Sequence, residues 1–466
     1  MSHFFLLLSF TFCVTISSQN RQLLFGVNDL PQSLLLNPGA EVSFNKHIGI
    51  PFLSGLHVNA GSSGLNIDDL FREGTDFNTN IRNTVFRLTD RDFFTINQQL
   101  DLLSFGWKSR FKDVYYSAGL YQEFDFILYF PRDIAVLALD GNANAIGTPF
   151  ELSDISATAE LLSVYHFGIS KKVTNKLRLG ARTKLYSSIA NINSARNDGV
   201  FITTDTPQGP NFLSHDIIGA NVRINTSGLR SLSEGNASGI GIASKALFSP
   251  NFGLGLDVGG TYSLTDKITL TGSILDLGFI VHNSDLLNFG IDGDFTFQGL
   301  DLDFSQATNE EETGDNLEQF INEFERELNF EDDASDPFLT LRPVKLNAAI
   351  NYSFSLFDTA INCDCVSPDT NYNSNTGIQL FAIQRPRGPQ AAITAYFDHQ
   401  WASFIRTKIS YTIDPFSASN LGLLVSTKIN KFNLYLAADN LLDYGNLALA
   451  NNASLQMGLQ LVFNEN

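Results

Sequence analysis

The sequence predicts an all-β protein, a transmembrane antiparallel β-barrel of about 14 strands with long extracellular loops, one of them bearing a short amphipathic helix. Three observations predict it. Apolar and polar residues alternate with a period of two over long hairpin arms. The chain opens on an apolar export-like run, and no later stretch reaches the roughly eighteen consecutive apolar residues of a spanning helix. Short polar turns and long connections alternate along the chain, as they do in barrels with one short-turn side.

The clearest arms run from Ala157 to Ile189. Ala157, Ala159, Leu161, Tyr165, Phe167 and Ile169 share one face, with Ser163 as the single polar break. The other face carries Glu160, Leu162, Val164, His166 and Ser170. After a polar turn at Val173, Thr174 and Asn175, Leu177, Leu179, Ala181, Leu185 and Ile189 oppose Arg178, Arg182, Lys184 and Tyr186. Each arm of about fourteen residues exceeds the ~5–6 of a soluble strand and the ~9–11 needed to cross a bilayer. A membrane barrel turns the apolar row to lipid and the polar row to its lumen, whereas a large β-sandwich would bury the apolar row under a second layer.

Composition agrees with many strands. There are 40 Phe, 13 Tyr and 35 Gly, the residue types of strands, interfacial aromatic belts and tight turns. The net charge is −19, from 49 acidic against 30 basic residues, which argues against a nucleic-acid surface. Residues 1–18 read as a cleaved signal peptide, with Phe4 to Ile16 as its apolar run and Ser17 and Ser18 as small residues for cleavage. Bulky Phe12 before Cys13 spoils a lipoprotein signal. Removal of the signal leaves Cys363 and Cys365, which read as loop thiols or a small staple rather than a zinc site, because zinc needs four ligands.

Residues 19–45 form a separate unit ahead of the barrel proper, 46–466. Arg21 to Glu41 is not strand-like; it holds Pro31, a Leu34–Leu36 run, then Asn37, Pro38 and Gly39, and reads as folded-in. Alternation begins at Lys46, with Pro51 marking an edge, bulge or kink. Gly61 to Thr95 reads as polar and irregular. Strands follow over Asn97–Trp107 and Val114–Phe124. Pro131 to Leu139 reads as a short helix, with Pro in the first turn and Gly141 just beyond the end. Asn191 to Asn251 reads as a long connection with one strand-like piece at Asp216–Asn225. Further hairpins turn at Thr265-Asp266 and at Asn430-Lys431, and Leu455 to Phe463 closes the chain. The insert at about 281–340 is acidic: Glu310–Asp336 carries twelve acidic residues and one Arg. Within it Leu317, Phe320, Ile321, Phe324 and Leu328 recur at helical spacing, so Asp315–Leu328 is expected to be the amphipathic helix. No EF-hand spacing is present, and a solvated loop over the barrel mouth is the plainer reading than a calcium site.

A set of ordered phrases carries a resemblance. They are Pro31 to Gly39, Leu103-Ser104-Phe105-Gly106, Phe130-Pro131-Arg132-Asp133, Asp140-Gly141-Asn142, Gly253 to Asp257, Leu275 to Ile280, and Asp439-Asn440-Leu441-Leu442 with the closing strand. On these the chain resembles an uncharacterised family of outer-membrane barrels from Bacteroidota, a domain of unknown function. That family is similar to the fourteen-stranded barrels that admit long-chain fatty acids and to the accessory barrels of type IX secretion and gliding. The resemblance implies an N-terminal lumen plug, with Asn37, Pro38 and Gly39 in it, and an address in the outer membrane of a Gram-negative bacterium. No catalytic or ligand residue comes with it.

The residues offer no enzyme constellation: seven His are scattered, without His-Glu-x-x-His or Gly-x-Ser-x-Gly, and no cofactor or metal is expected. What remains is the lumen. Arg178, Arg182 and Lys184 share a face, and Glu160 and His166 face the same interior from the neighbouring arm. That cluster either holds the plug and guides a solute or fills the barrel as a salt-bridge network. Two functions follow: a plugged barrel taking up a hydrophobic or amphipathic solute, with a lateral gap at Pro51 and Gly55, or a non-transporting anchor for secreted or surface proteins. Expected partners are outer-membrane lipid and either that small molecule or a surface protein, with the chain itself a monomer.

Overall fold

The structure, a computed structural model, describes residues 22–72, 74–110, 113–205, 213–233, 245–297, 328–329, 331–355 and 372–464. Residues 1–18, Cys363, Cys365 and nearly all of the helix expected over 315–328 lie outside them.

The wall is a closed antiparallel barrel of 14 strands. It starts with β1 (Lys46–Gly49) and β2 (Leu56–Ser62), one strand broken at 50–55. There follow β3 (Phe93–Lys108), β4 (Val114–Tyr129), a short β5 (Pro149–Glu151), β6 (Ala157–Lys172), β7 (Leu177–Asp205) and β8 (Leu213–Ser227). Next come β9 (Asn251–Ser263), β10 (Ile268–His282), β11 (Asn288–Phe297), β12 (Glu331–Ala334), and β13 (Phe338–Leu341) with β14 (Lys345–Phe354), a second broken strand on β10. The chain finishes through β15 (Ser374–Arg385), β16 (Gly388–Ala402), β17 (Ile405–Ile413), β18 (Asn420–Ile429), β19 (Phe432–Asp439) and β20 (Asn452–Phe463). Closure is made where β20 pairs with both pieces of the first strand, Lys46 opposite Phe463 and Leu56 opposite Met457. A closed barrel leaves no strand edge unpaired, the condition for a sheet in lipid.

Alternation along each strand gives the wall two characters. Leu179, Leu185, Ile350 and Ile378 face outward and exposed, while Arg182, Lys184, Gln379 and Lys408 face inward and buried. So many outward apolar side chains, strand after strand, suit lipid and not water. At the short-turn end Trp107, Tyr116 and Phe167 lie ring beside ring on neighbouring strands, as interfacial aromatics do.

The structure departs from the sequence reading in four places. Gly61 to Thr95 is not irregular: it holds α2 (Ile67–Phe71) and α3 (Phe77–Arg87), preceded in the chain by the one-turn α1 (Ser33–Leu36), and β3 already begins at Phe93. Residues 191–205 are not loop but a continuation of β7 beyond the barrel, paired with β8, which pairs in turn with β11 and β12. Ala220, Phe295 and Leu328 form the small core that holds this extension. The 281–340 insert is therefore partly sheet. Finally, Phe354 and Ser374, the ends of a long stretch of sequence, both lie at the short-turn end of the barrel, so long connections do not all start from one side. The expected helix after Pro131 is α4 (Arg132–Asp140), closed by Gly141 at φ 65°.

Candidate functional site: the lumen and the N-terminal segment

Residues 22–44 lie inside the barrel. The backbone turns on itself, with Phe25, Val27, Leu30 and Leu34 donating to carbonyls three residues back. Carbonyls left over must be satisfied by the wall, because a buried unpaired carbonyl is costly. Strands around the barrel supply the donors. Lys408 Nζ donates to Phe25 O at 2.8 Å and Asn433 Nδ2 to Asp29 O at 2.6 Å. Ser273 Oγ donates to Leu36 O at 2.6 Å, Thr261 Oγ1 to Gly39 O at 3.0 Å and Ser170 Oγ to Ala40 O at 3.2 Å. Apolar side chains complete the fit: Leu23, Leu24, Phe25, Val27 and Leu30 bury against Leu424, Tyr435 and Ala437 of the wall.

Asn37, Pro38 and Gly39 make the closest approach. They press on Gly180 of β7 and Gly259 and Gly260 of β9, where the wall has no side chains. A methyl on Gly180 would fall on the Pro38 carbonyl, and one on Gly259 on Asn37 Oδ1. Asn37 Nδ2 donates to Gly260 O at 3.2 Å, and its Oδ1 accepts from Gly39 N at 2.9 Å. These wall glycines were legible as strand glycines, but nothing in the sequence announced that they formed a seat.

Beside the seat runs a chain of buried ion pairs. Arg182 Nε donates to Asp257 Oδ2 at 2.7 Å, while its two terminal nitrogens donate to Leu34 O and Leu35 O at 2.8 and 2.7 Å. Lys184 lies between Asp257 (3.1 Å) and Asp276, and Lys345 between Asp276 (2.9 Å) and Glu123 (3.0 Å). Arg342 pairs with Glu123 at 3.1 Å and with Glu160, and Arg385 with Asp125. Asp276 sits at φ 61°, at a register shift in β10, and Tyr186 donates to it at 3.0 Å. Each named cation has a carboxylate partner, so the chain of pairs is neutral as a whole.

Of the residues singled out from sequence, Arg182, Lys184 and Glu160 join this network. Arg178 does not; it lies 3.8 Å from Glu41, near where the N-terminal segment meets β1. His166 packs tilted against Tyr121, ring centroids 5.8 Å apart, and its Nδ1 has no hydrogen-bond partner among the described residues. Asp257, Asp276, Glu123, Arg342 and Lys345 were missed. For Asp257, Glu123 and Lys345 the signal was parity, each on the inward face of a strand whose outward face is apolar. Arg342 lies in the break between β13 and β14, and Asp276 at the register shift of β10, where alternation slips.

The first strand is interrupted at 50–55, where Leu459 N donates to Leu53 O at 2.7 Å and Asp101 N to Gly55 O at 2.8 Å. Phe52, at φ 64°, and Leu53 stand exposed on the outside, while Ser54 is buried. Gln32 of the N-terminal segment donates to Ser54 O, and so does Gln460 of β20, at 3.3 Å. The break is thus bridged from the lumen by a side chain of the segment.

No curated protein matches the sequence. Solved structures with similar folds include the Pseudomonas putida toluene transporter TodX (11% identity, TM-score 0.35, covering 96% of this chain and 93% of that one). The Ralstonia pickettii toluene transporter TbuX is similar at 10% identity and TM-score 0.42, covering 93% and 94%. A Pseudomonas aeruginosa FadL homologue has the same identity and score, covering 97% and 98%. A family model described as a family of unknown function, DUF5723, matches residues 38–439, which take in the wall strands from β1 to β19, and the chain belongs to that family.

Proposed function

We propose that the protein is an outer-membrane barrel whose N-terminal segment is a movable plug, and that it admits a hydrophobic or amphipathic solute when the plug shifts. The observation that carries this reading is how residues 22–44 are held. They add no strand to the wall. They are retained by side-chain-to-carbonyl bonds, a glycine seat and apolar packing, all of which break without unpairing a strand. The Gln32–Ser54 contact supports a coupling of plug position to the break in the first strand, where a lateral gap for a hydrophobic solute would form.

The test is uptake of a labelled fatty acid by liposomes holding the intact chain or a variant lacking residues 21–41. Uptake that rises on deletion is expected. Failure of both to take up label removes the importer reading. The second reading, an anchor or accessory for surface proteins, is favoured by one observation. Ile67, Phe71, Phe77, Leu447 and Leu449 are exposed on the long-loop side, and Asp68 N joins the two loops by donating to Ala448 O at 2.8 Å. Capture of a surface protein that is lost when Phe71 and Leu447 are made Ser would support it.

A further inference from the structure

Polar side chains on the outer face of this wall have a particular place. Gln122, Ser163 and Ser187 stand opposite one another on β4, β6 and β7, on the face that also carries Tyr165, Phe167 and Leu185. One segment, residues 245–249, crosses all three. Ala246 O accepts from Ser163 Oγ, and from Gln122 Nε2 at 3.5 Å. Leu247 O accepts from Tyr165 Oη at 2.9 Å, and Ser249 N donates to Ser187 Oγ at 2.7 Å. Behind them Tyr121, Leu162, Val164, Tyr186 and Ile280 bury together on the lumen side, next to Glu123 of the ion-pair chain. On the outside a strap of backbone covers the polar face. That satisfies hydroxyl and amide groups which would otherwise meet hydrocarbon unpaired. This is why Ser163 interrupts an apolar row.

The strap turns Phe248, 65% exposed, outward and stacks it on Tyr165 with centroids 5.4 Å apart. Tyr165 also borders a groove of about 470 Å³ on the outer wall, with Leu103, Phe105, Leu120, Phe167 and Leu185. Small residues, Ala118 and Gly119, line it as well, and a register shift in β3 between Asp101 and Leu103 bends the wall beside it. We propose that this groove holds one acyl chain of a membrane phospholipid, with the strap as its rim; the proposal rests on the membrane-spanning reading. The groove continues the outward apolar belt, which fixes the bilayer as the source of its occupant. Two polar side chains also line it: Lys184 points inward to Asp257 and Asp276, and the His166 ring packs inward on Tyr121, while Lys245 of the strap binds Asp285 and Ser231. The groove therefore suits a hydrocarbon tail and not the carboxylate of a free fatty acid.

The chain supplies its own probes. It has two tryptophans. Trp107 stacks on Phe105 of the groove at 6.1 Å, and Trp401 stands exposed on β16, on the far side of the barrel. The single-tryptophan variants Trp401→Phe and Trp107→Phe are placed in vesicles with rising fractions of a phospholipid brominated on its acyl chains. Trp107 is expected to quench in a saturable way, reaching half its limit at a several-fold lower lipid fraction than Trp401. Ala118→Phe, which fills the groove floor, should bring Trp107 onto the Trp401 curve, with heat-modifiable gel mobility reporting that the barrel is folded. Thr183→Leu is the second filling variant if the first does not fold. Overlapping curves for the two tryptophans overturn the groove site. Preferential quenching of Trp107 by brominated free fatty acid and not by phospholipid overturns the choice of occupant. No quenching at either position overturns the membrane reading beneath both.

Discussion

Two kinds of residue hold the N-terminal segment, and they fail differently. The first is a glycine that makes room. Gly180→Ala puts a methyl onto the Pro38 carbonyl, an overpacking that costs about 1–3 kcal/mol. The wall is the stiffer partner, so the segment should leave its seat. Limited proteolysis in vesicles should then cut within residues 22–44. Gly272→Ala is the matched control, since its methyl would meet its nearest atom at 3.6 Å, an ordinary contact. Equal protection in the two variants would show that the seat does not retain the segment. The second is a charge that bonds. Arg182→Met takes the donors from Leu34 O and Leu35 O and leaves Asp257 to Lys184 and the Asp276 amide. Breaking a buried pair from one side costs on the order of 3 kcal/mol, whereas replacing both partners often costs far less. Urea unfolding should therefore show Arg182→Met less stable than Arg182→Met with Asp257→Leu. The reverse order would mean that the network acts through its other members and not through this pair.

At the scale of elements, the α2–α3 hairpin on the long-loop side is held by charge more than by packing. Asn66 caps α2, its side chain accepting from Asp69 N while Asp69 accepts from Asn66 N. The Arg87 guanidinium, hydrogen-bonded to the Asp69 carboxylate, holds that carboxyl below its usual range, with the Asn66 amide and Arg72 acting in the same direction. A lowered carboxyl stabilises the fold fully above the ordinary carboxylate value of about 4, and the contribution is lost as pH falls through the lowered one. Amide exchange across residues 67–87 should therefore quicken as pH drops below that range, after correction for intrinsic rates, while the wall strands stay protected. A hairpin whose protection does not change over that range would assign its order to Phe71 and Phe77, whose rings stack at 5.4 Å. The pair Asn66 and Asp69 was readable in advance as a capping pattern. It was passed over because the polar residues around it masked the short apolar face. Strands were legible wherever one face was mostly apolar, as in β6, β7, β9 and β20, because a lipid-facing wall imposes one rule on most outward positions. Residues 191–205 obey no such rule. They leave the barrel for a sheet with water on one side, and their Asn and Ser read as loop. The ion pairs of the site were half legible: Arg182 and Lys184 share one strand and Asp257 stands opposite Arg182 on its neighbour, whereas Arg342, Lys345 and Arg385 meet Glu123, Glu160 and Asp125 across the lumen, which only barrel closure allows.

Over the whole molecule, the question is what remains when the N-terminal segment is gone. The lumen would keep its paired charges, Arg182, Lys184, Arg342, Lys345 and Arg385 against Asp257, Asp276, Glu123, Glu160 and Asp125. It would also uncover inward amides and hydroxyls such as Asn433, Ser273 and Thr261, which now bond the segment. Selectivity in a wide pore follows unpaired rings of one sign, and paired charges present little net field to a passing ion. The net charge of −19 belongs in large part to the acidic insert, whose field is screened over about 8 Å at physiological salt. A chain lacking residues 21–41 should thus conduct in planar bilayers with a reversal potential near zero across a KCl gradient, although the protein as a whole is strongly acidic. The intact chain should conduct little. A marked cation preference in the unplugged barrel would mean that the acidic insert sits in the conduction path. A marked anion preference would mean that loss of the segment breaks the Arg182–Asp257 pair and frees the guanidinium. Either result would locate the ions' route more closely than size exclusion of solutes, because each depends on the state of particular named pairs.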